Sequence, residues 1–181
     1  MMPQDLDRLR DIDGTIQSSR YLHLDRSGEG LAVAWRLEER PLRERLIDPN
    51  TIGDETQFVM KQLVIGAEEG LALAMEHEGN VVGVLAAVVD AARKTLRVVD
   101  VRVDFDYRRE GLASVLLYRT IQEARDRELR AVMAQTKTNN LPGANCLRKA
   151  GFEIAGIDER MDSNHDLVKE AVTLFWYAPL D

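Results

Sequence analysis

The sequence predicts an α/β (α+β) fold with a mixed central sheet flanked by helices. Three observations predict it. Apolar, strand-like runs at 70–77, 81–89 and 95–103 follow one another across short turns, so they read as consecutive antiparallel strands. The next stretch, 112–127, carries Ala113, Leu116, Leu117, Ile121 and Ala124 at helical spacing, one face for the sheet. The chain then gives a strand at 131–135, a short helix at 141–150, and strands at 152–157 and 172–177.

Each remaining element has a local reason. Residues up to about Ser19 are polar, but Leu6, Leu9 and Ile12 are spaced for a weak helix or an ordered arm. Arg20–Asp25 and Leu31–Leu37 read as two strands around Ser27-Gly28-Glu29-Gly30, a Gly-rich turn that suits a hairpin. Glu38–Asn50 is heavily charged and contains Pro41, so it reads as a surface excursion. Glu55–Ile65 is a short helix, and polar Asp158–Lys169 is a loop. No repeat or linker interrupts the chain, which predicts one domain over 1–181.

Composition narrows the function. The chain has 181 residues, 45% of them apolar, enough for a sizeable core. No apolar run reaches membrane-spanning length, and the N-terminus lacks a signal-peptide block. One Cys allows neither an intrachain disulfide nor a thiolate metal site, and His23, His77 and His165 have no metal-ligand spacing. A cytoplasmic, metal-free protein is the expectation. The net charge of −7 disfavours nucleic acid and suits either a cationic substrate or plain solubility.

The most informative stretch is Asp106-Tyr107-Arg108-Arg109-Glu110-Gly111-Leu112-Ala113, between an apolar strand and an amphipathic helix. The first turn of a helix leaves backbone N–H groups unpartnered at the positive end of its dipole. Gly111 and Ala113 let a diphosphate approach the backbone, and Arg108 and Arg109 add charge. The spacing Arg-x-x-Gly-x-Ala is neither the Walker loop nor the dinucleotide fingerprint. Further on, Asn140 suits an N-cap, Pro142 a first turn, and Gly151 a left-handed C-terminal position before Phe152.

These features resemble the GNAT acetyltransferases. Arg-x-x-Gly-x-Ala resembles their pyrophosphate loop. Thr138 to Phe152 resembles their later Asn-to-Gly-Phe segment, and Glu170 to Tyr177 resembles the closing strand of the streptothricin acetyltransferase-like branch. The resemblance covers about 81–178. It implies the GNAT fold and acetyl transfer from acetyl-CoA to an amine, by direct attack without an acetyl-enzyme. It implies that Arg108, Arg109, Glu110, Gly111, Leu112 and Ala113 hold the diphosphate, and that backbone near Val101 and Val103 faces the thioester. Asn140 would bond the pantetheine arm, with Gly143 and Cys146 on the same short helix. The partner is a small-molecule amine, with neither nucleic acid nor membrane, and a homodimer is compatible with this reading.

Two residues suit catalytic roles, Asp100 and Tyr177. Asp100 interrupts the apolar run Val98-Val99-Asp100-Val101, and a partly desolvated carboxylate there could bind or deprotonate an ammonium. It could equally face solvent or pair with Arg102; Glu69 and Asp104 are weaker choices. The family's proton-donating Tyr falls at Leu147, which cannot donate. Tyr177 is the substitute donor, with Tyr118 or water behind it. Non-catalytic acyl-CoA binding and acetylation of protein lysines are the alternative functions.

Overall fold

The computed structural model describes residues 1–180. Eight strands and three α-helices form two sheets: a ribbon, and a six-stranded sheet in the order β3-β4-β5-β6-β8-β7. The ribbon is β1 (Ile16–Glu29) against β2 (Ala32–Asp48), and α1 (Asp54–Val64) follows it. β3 (Gly70–His77), β4 (Asn80–Asp90) and β5 (Thr95–Val103) are antiparallel neighbours, as their spacing predicts. α2 (Leu112–Asp126) then crosses over to β6 (Ala131–Lys137), parallel to β5. The short helix α3 (Leu141–Lys149) leads to the edge strand β7 (Glu153–Asp158), and β8 (Thr173–Pro179) inserts between β6 and β7.

The sheet buries one face along its length and the other around β4. On one side Leu116, Leu117, Ile121 and Ala124 of α2 and Leu147 of α3 pack against Leu85, Leu96, Val132 and Leu174. On the other, Leu9 and Ile12 of the N-terminal arm and Met60 of α1 cover Val84 and Ala86. The arm is a 3₁₀ helix over Pro3–Asp11, and Leu9 is 1% exposed, so the spacing of its apolar residues marks a real contact. Among the described residues no helix is long and apolar enough to cross a membrane.

One element departs from expectation. The charged stretch Glu38–Asp48 is strand, not excursion: β2 runs through it. A two-stranded ribbon solvated over most of its surface needs no apolar alternation, so the pattern that reveals buried strands is missing. Pro41 is tolerated because such a ribbon has two open edges where a missing N–H costs nothing. The ladder breaks once: Ser18 pairs with Leu46 but Arg20 pairs with Pro41, so β2 bows outward over 42–45.

Candidate active site

The centre of the site is a gap in the sheet. β5 and β6 pair only over Thr95–Arg97 and Ala131–Met133, although both strands continue. Beyond that row their facing edges are unpaired. A bulge at Val99 contributes, since Ala86 pairs with Asp100 while Ala87 pairs with Val98, and bulges bend and twist a strand. Peptide groups alternate sides along a strand. The Asp104 N–H reaches back to Val82 O on β4 at 2.9 Å, so the peptide groups of Val101 and Val103 point the other way, into the gap. Their side chains pack in the α2-side core, so it is their backbone that lines the gap.

α2 begins where β5 ends. Gly111 sits just before it at φ 87°, and Arg109 has φ 68°, so two left-handed residues alternate in the turn, a conformation that aims successive N–H groups at one point. The first α2 bond runs from Val115 N–H to Gly111 O at 3.1 Å. The N–H groups of Leu112, Ala113 and Ser114 therefore have no intrahelical partner. Nothing lies within 4 Å of where a Gly111 Cβ would be, so the approach is open. Arg109 and Glu110 are exposed beside it.

Arg108, grouped with this loop from sequence, is committed elsewhere. Its Nε donates to Val103 O at 3.0 Å, and its other nitrogens donate to Thr15 O and Asp13 O. Its guanidinium also stacks over the Phe105 ring. Burial pulls its pKa below the ordinary value, with Asp13 and Asp104 pushing back. It ties the N-terminal arm to the end of β5, and its side chain is not free to hold a phosphate.

Asp100 is also committed. Its two carboxylate oxygens accept from Arg102 Nε at 2.7 Å and Nη2 at 2.8 Å. The side chains are 13% and 4% exposed, so this is a buried, two-pronged pair. Arg102 Nη1 also donates to Asn50 O at 2.6 Å, and Asn50 Nδ2 donates to Gly14 O. Both oxygens of this carboxylate are engaged by one cation. Residues two apart on a strand share a face, which is the signal for this pair in the sequence.

α3 starts just past the end of β6, which brings Asn140 to the open end of the gap. Asn140 Oδ1 accepts from Gly143 N–H at 3.0 Å and caps the helix. Gly143 has a structural reason: an added Cβ would stand 2.7 Å from Asn140 Nδ2 and displace the cap. Cys146 is half-buried against the core, and burial pushes its thiol pKa up, with Lys149 opposing.

The model of the acetyltransferase (GNAT) family matches residues 33–152. The chain belongs to the GNAT acetyltransferase family. This makes it an acetyl-CoA-dependent N-acetyltransferase. It is similar to streptothricin acetyltransferases: it is 23% identical to streptothricin acetyltransferase of Streptomyces lavendulae over 88% of this chain and 82% of that one. It is 30% identical to streptothricin acetyltransferase A of Bacillus subtilis (strain 168), over 43% and 44%. By structure it resembles nourseothricin acetyltransferase, with TM-score 0.77 at 18% identity over 100% of this chain and 96% of that one. It also resembles a streptothricin acetyltransferase of Bacillus anthracis str. Ames solved with acetyl coenzyme A, with TM-score 0.76 at 19% identity over 100% and 95%.

Within this acetyltransferase, the strand register keeps Tyr177 away from the gap. Tyr177 pairs with Met133, which pairs with Arg97, the last paired row on the closed side. Asp100 lies three residues further along β5, about 10 Å, and two strands across, about another 10 Å. β8 runs antiparallel to β6, so its final residues sit beside the start of β6, and the expected donor role for Tyr177 does not fit this placement. Its ring instead lies under the Arg130 guanidinium, at 6.0 Å. Leu147, at the family's Tyr position, is 3% exposed in the core. A phenol that the sequence did not single out lies elsewhere: Tyr21, 8% exposed, makes a 2.7 Å hydrogen bond with His23 Nδ1. Burial first, and the Glu170 carboxylate second, push its pKa up.

Proposed function

We propose that this acetyltransferase moves the acetyl group of acetyl-CoA onto a primary amine of a small cationic acceptor, by direct attack in a ternary complex. The observation that carries the reading is the gap between β5 and β6, with the peptide groups of Val101 and Val103 turned into it and the open first turn of α2 at its end. The backbone of Gly111, Leu112 and Ala113 would hold the diphosphate, with Arg109 and Glu110 at its border. Asn140 and the cap it makes with Gly143, and Cys146 beyond them, would border the pantetheine arm.

The chemistry asked of the residues is modest. The amine nitrogen attacks the thioester carbon, the C–S bond breaks, nitrogen loses a proton and the thiolate gains one. An N–H on the β5 edge can stabilise the carbonyl oxygen as it gains charge, the role with the largest effect in acyl transfer. Asp100 is charge-compensated by Arg102 and contributes through that pair to the shape of the gap. Streptothricin, named for the relatives, is the acceptor class to test first, and the net charge of −7 favours a cation.

The test is coenzyme A release with streptothricin, aminoglycosides, polyamines and lysine peptides, alongside acetyl-CoA binding by calorimetry. Release with small cations supports the reading. Binding of acetyl-CoA with no release above background, or release with peptides alone, refutes it.

A further inference from the structure

We infer that the Glu170 carboxylate is a binding site for a second cationic group of the acceptor, occupied in the free protein by Arg43. The inference rests on the reading of a cationic acceptor and adds where its charge is recognised.

β1 crosses from one side of the gap to the other. At its start, Thr15 O is taken by Arg108, and Gly14 is tied through Asn50 to Arg102, all at the far end of β5. Seven residues later, Leu22 N–H donates to Thr138 O at 3.0 Å, just past the end of β6. Seven extended residues span about 20 Å. β1 therefore runs across the open end of the gap, from one diverging strand to the other. Anything that reaches the gap from this end passes β1.

Glu170 stands at the β6 end of that crossing. Thr138 Oγ1 donates to Glu170 O at 2.9 Å, and Tyr21 and His23 lie beside it. Its side chain is 12% exposed. A carboxylate that sheltered needs a cation. The cation it has is Arg43 Nε at 3.2 Å, and the Arg43 guanidinium also donates to Val168 O.

The two partners are unequal. Arg43 comes from 42–45, where β2 leaves the ladder, and it is 67% exposed. The Arg43 guanidinium is the solvated half of the pair, while the Arg43 backbone N–H separately donates to Glu170 Oε2 at 3.4 Å, so the side chain can swing away without releasing the segment. The carboxylate, 12% exposed with the arginine in place, loses its cation when the arginine leaves and can take another. An ammonium finds the acceptors the guanidinium leaves: Glu170 Oε1 and Val168 O. Had the pair evolved only to tie two loops together, the arginine would be expected to be as well packed as its partner, as Arg102 is with Asp100.

The experiment is initial-rate kinetics of the full chain with streptothricin as the probe, and calorimetry of streptothricin binding to protein saturated with coenzyme A. Arg43→Ala should lower the KM for streptothricin threefold or more, because the competing internal cation is gone. Glu170→Gln, which keeps the backbone acceptor for Thr138, should raise that KM tenfold or more. The KM for acetyl-CoA should move less than twofold in both, and melting temperatures confirm that both fold. A KM for streptothricin that rises or stays unchanged in Arg43→Ala, or that ignores Glu170→Gln, overturns the inference and leaves the acetyl-transfer reading intact. Binding that depends on both residues without turnover upholds the inference and removes streptothricin as the acetyl acceptor. Neither binding nor turnover with streptothricin overturns the inference, while the coenzyme A release panel with the other cations decides the acetyl-transfer reading.

Discussion

Asp100→Asn is the most direct test of how the gap is built. In the native protein Arg102 is 4% exposed, with its charge balanced by two carboxylate bonds at 2.7 and 2.8 Å. Asparagine keeps one oxygen and the shape but removes the negative charge, leaving a buried guanidinium with neutral partners. Breaking a buried pair from one side costs about 3–5 kcal/mol, and the surviving hydrogen bond puts this case near 3. For a chain of this size each kcal/mol moves the melting temperature by about 2–4 °C, so a fall of roughly 6–12 °C is expected. Asp100→Asn combined with Arg102→Gln should lose less than Asp100→Asn alone, because no charge is left behind. Thermal and urea unfolding at pH 7 measure this, and rates across pH 6–9 separate the roles. If Asp100 acts through the pair, its rate deficit is flat with pH and Arg102→Gln reproduces it. If Asp100 takes the proton, the deficit shrinks as pH rises. A melting temperature within about 2 °C of wild type would refute the reasoning.

Gly111→Glu should abolish acetyl-CoA binding by calorimetry, while Gly111→Ala, which shares the strain at φ 87° without the charge, should keep most of it. Equal binding by both would show that the loop is not the diphosphate site. Tyr177→Phe should leave kcat and both KM values within twofold, since the strand register holds Tyr177 at the closed side of the gap; a tenfold loss of kcat would restore it as a donor. Leu147→Tyr should lower stability by about 1–3 kcal/mol through overpacking and give no gain in turnover, because position 147 is 3% exposed in the core. A folded, faster variant would contradict that placement.

The parts legible in the sequence are those fixed by local chemistry. The strands at 70–77, 81–89 and 95–103 announced themselves by apolar runs between turns, and α2 by its spacing. Gly111 and the Asn140 cap were legible because φ > 0 and a helix N-terminus each demand particular residue types. The second half of β2, Glu38–Asp48, was not, because a solvated strand needs no apolar period. Tyr177 was misplaced because its neighbours depend on the direction of β8, which residue identity does not carry. Arg108 shows another limit: an arginine in a phosphate loop and an arginine pinned to backbone carbonyls look alike in sequence. The Arg43–Glu170 pair joins residues 127 positions apart, beyond any local pattern.

The missing hydroxyl at position 147 is easier to understand when the two proton transfers are weighed separately. The leaving group is a thiolate, and an ordinary thiol has a pKa near 8.5, so at pH 7 it departs with little help. The attacking amine is the harder partner. An alkyl ammonium with a pKa near 10.4 is neutral in only about one molecule in 2,500 at pH 7, a cost of roughly 4.6 kcal/mol. Acid catalysis at sulfur therefore answers the smaller problem, and Leu147 can serve the core without stopping the reaction. The larger problem falls on the acceptor side of the gap. There Asp100 already has a cation, while Glu170 has one that is mostly solvated. Negative potential from carboxylates does not help an ammonium lose its proton; it holds the cation. On the proposed reading, such a site would draw its rate from concentrating and orienting a polycationic acceptor, and a pH-independent deficit in Asp100→Asn would leave water in the open gap to take the amine proton.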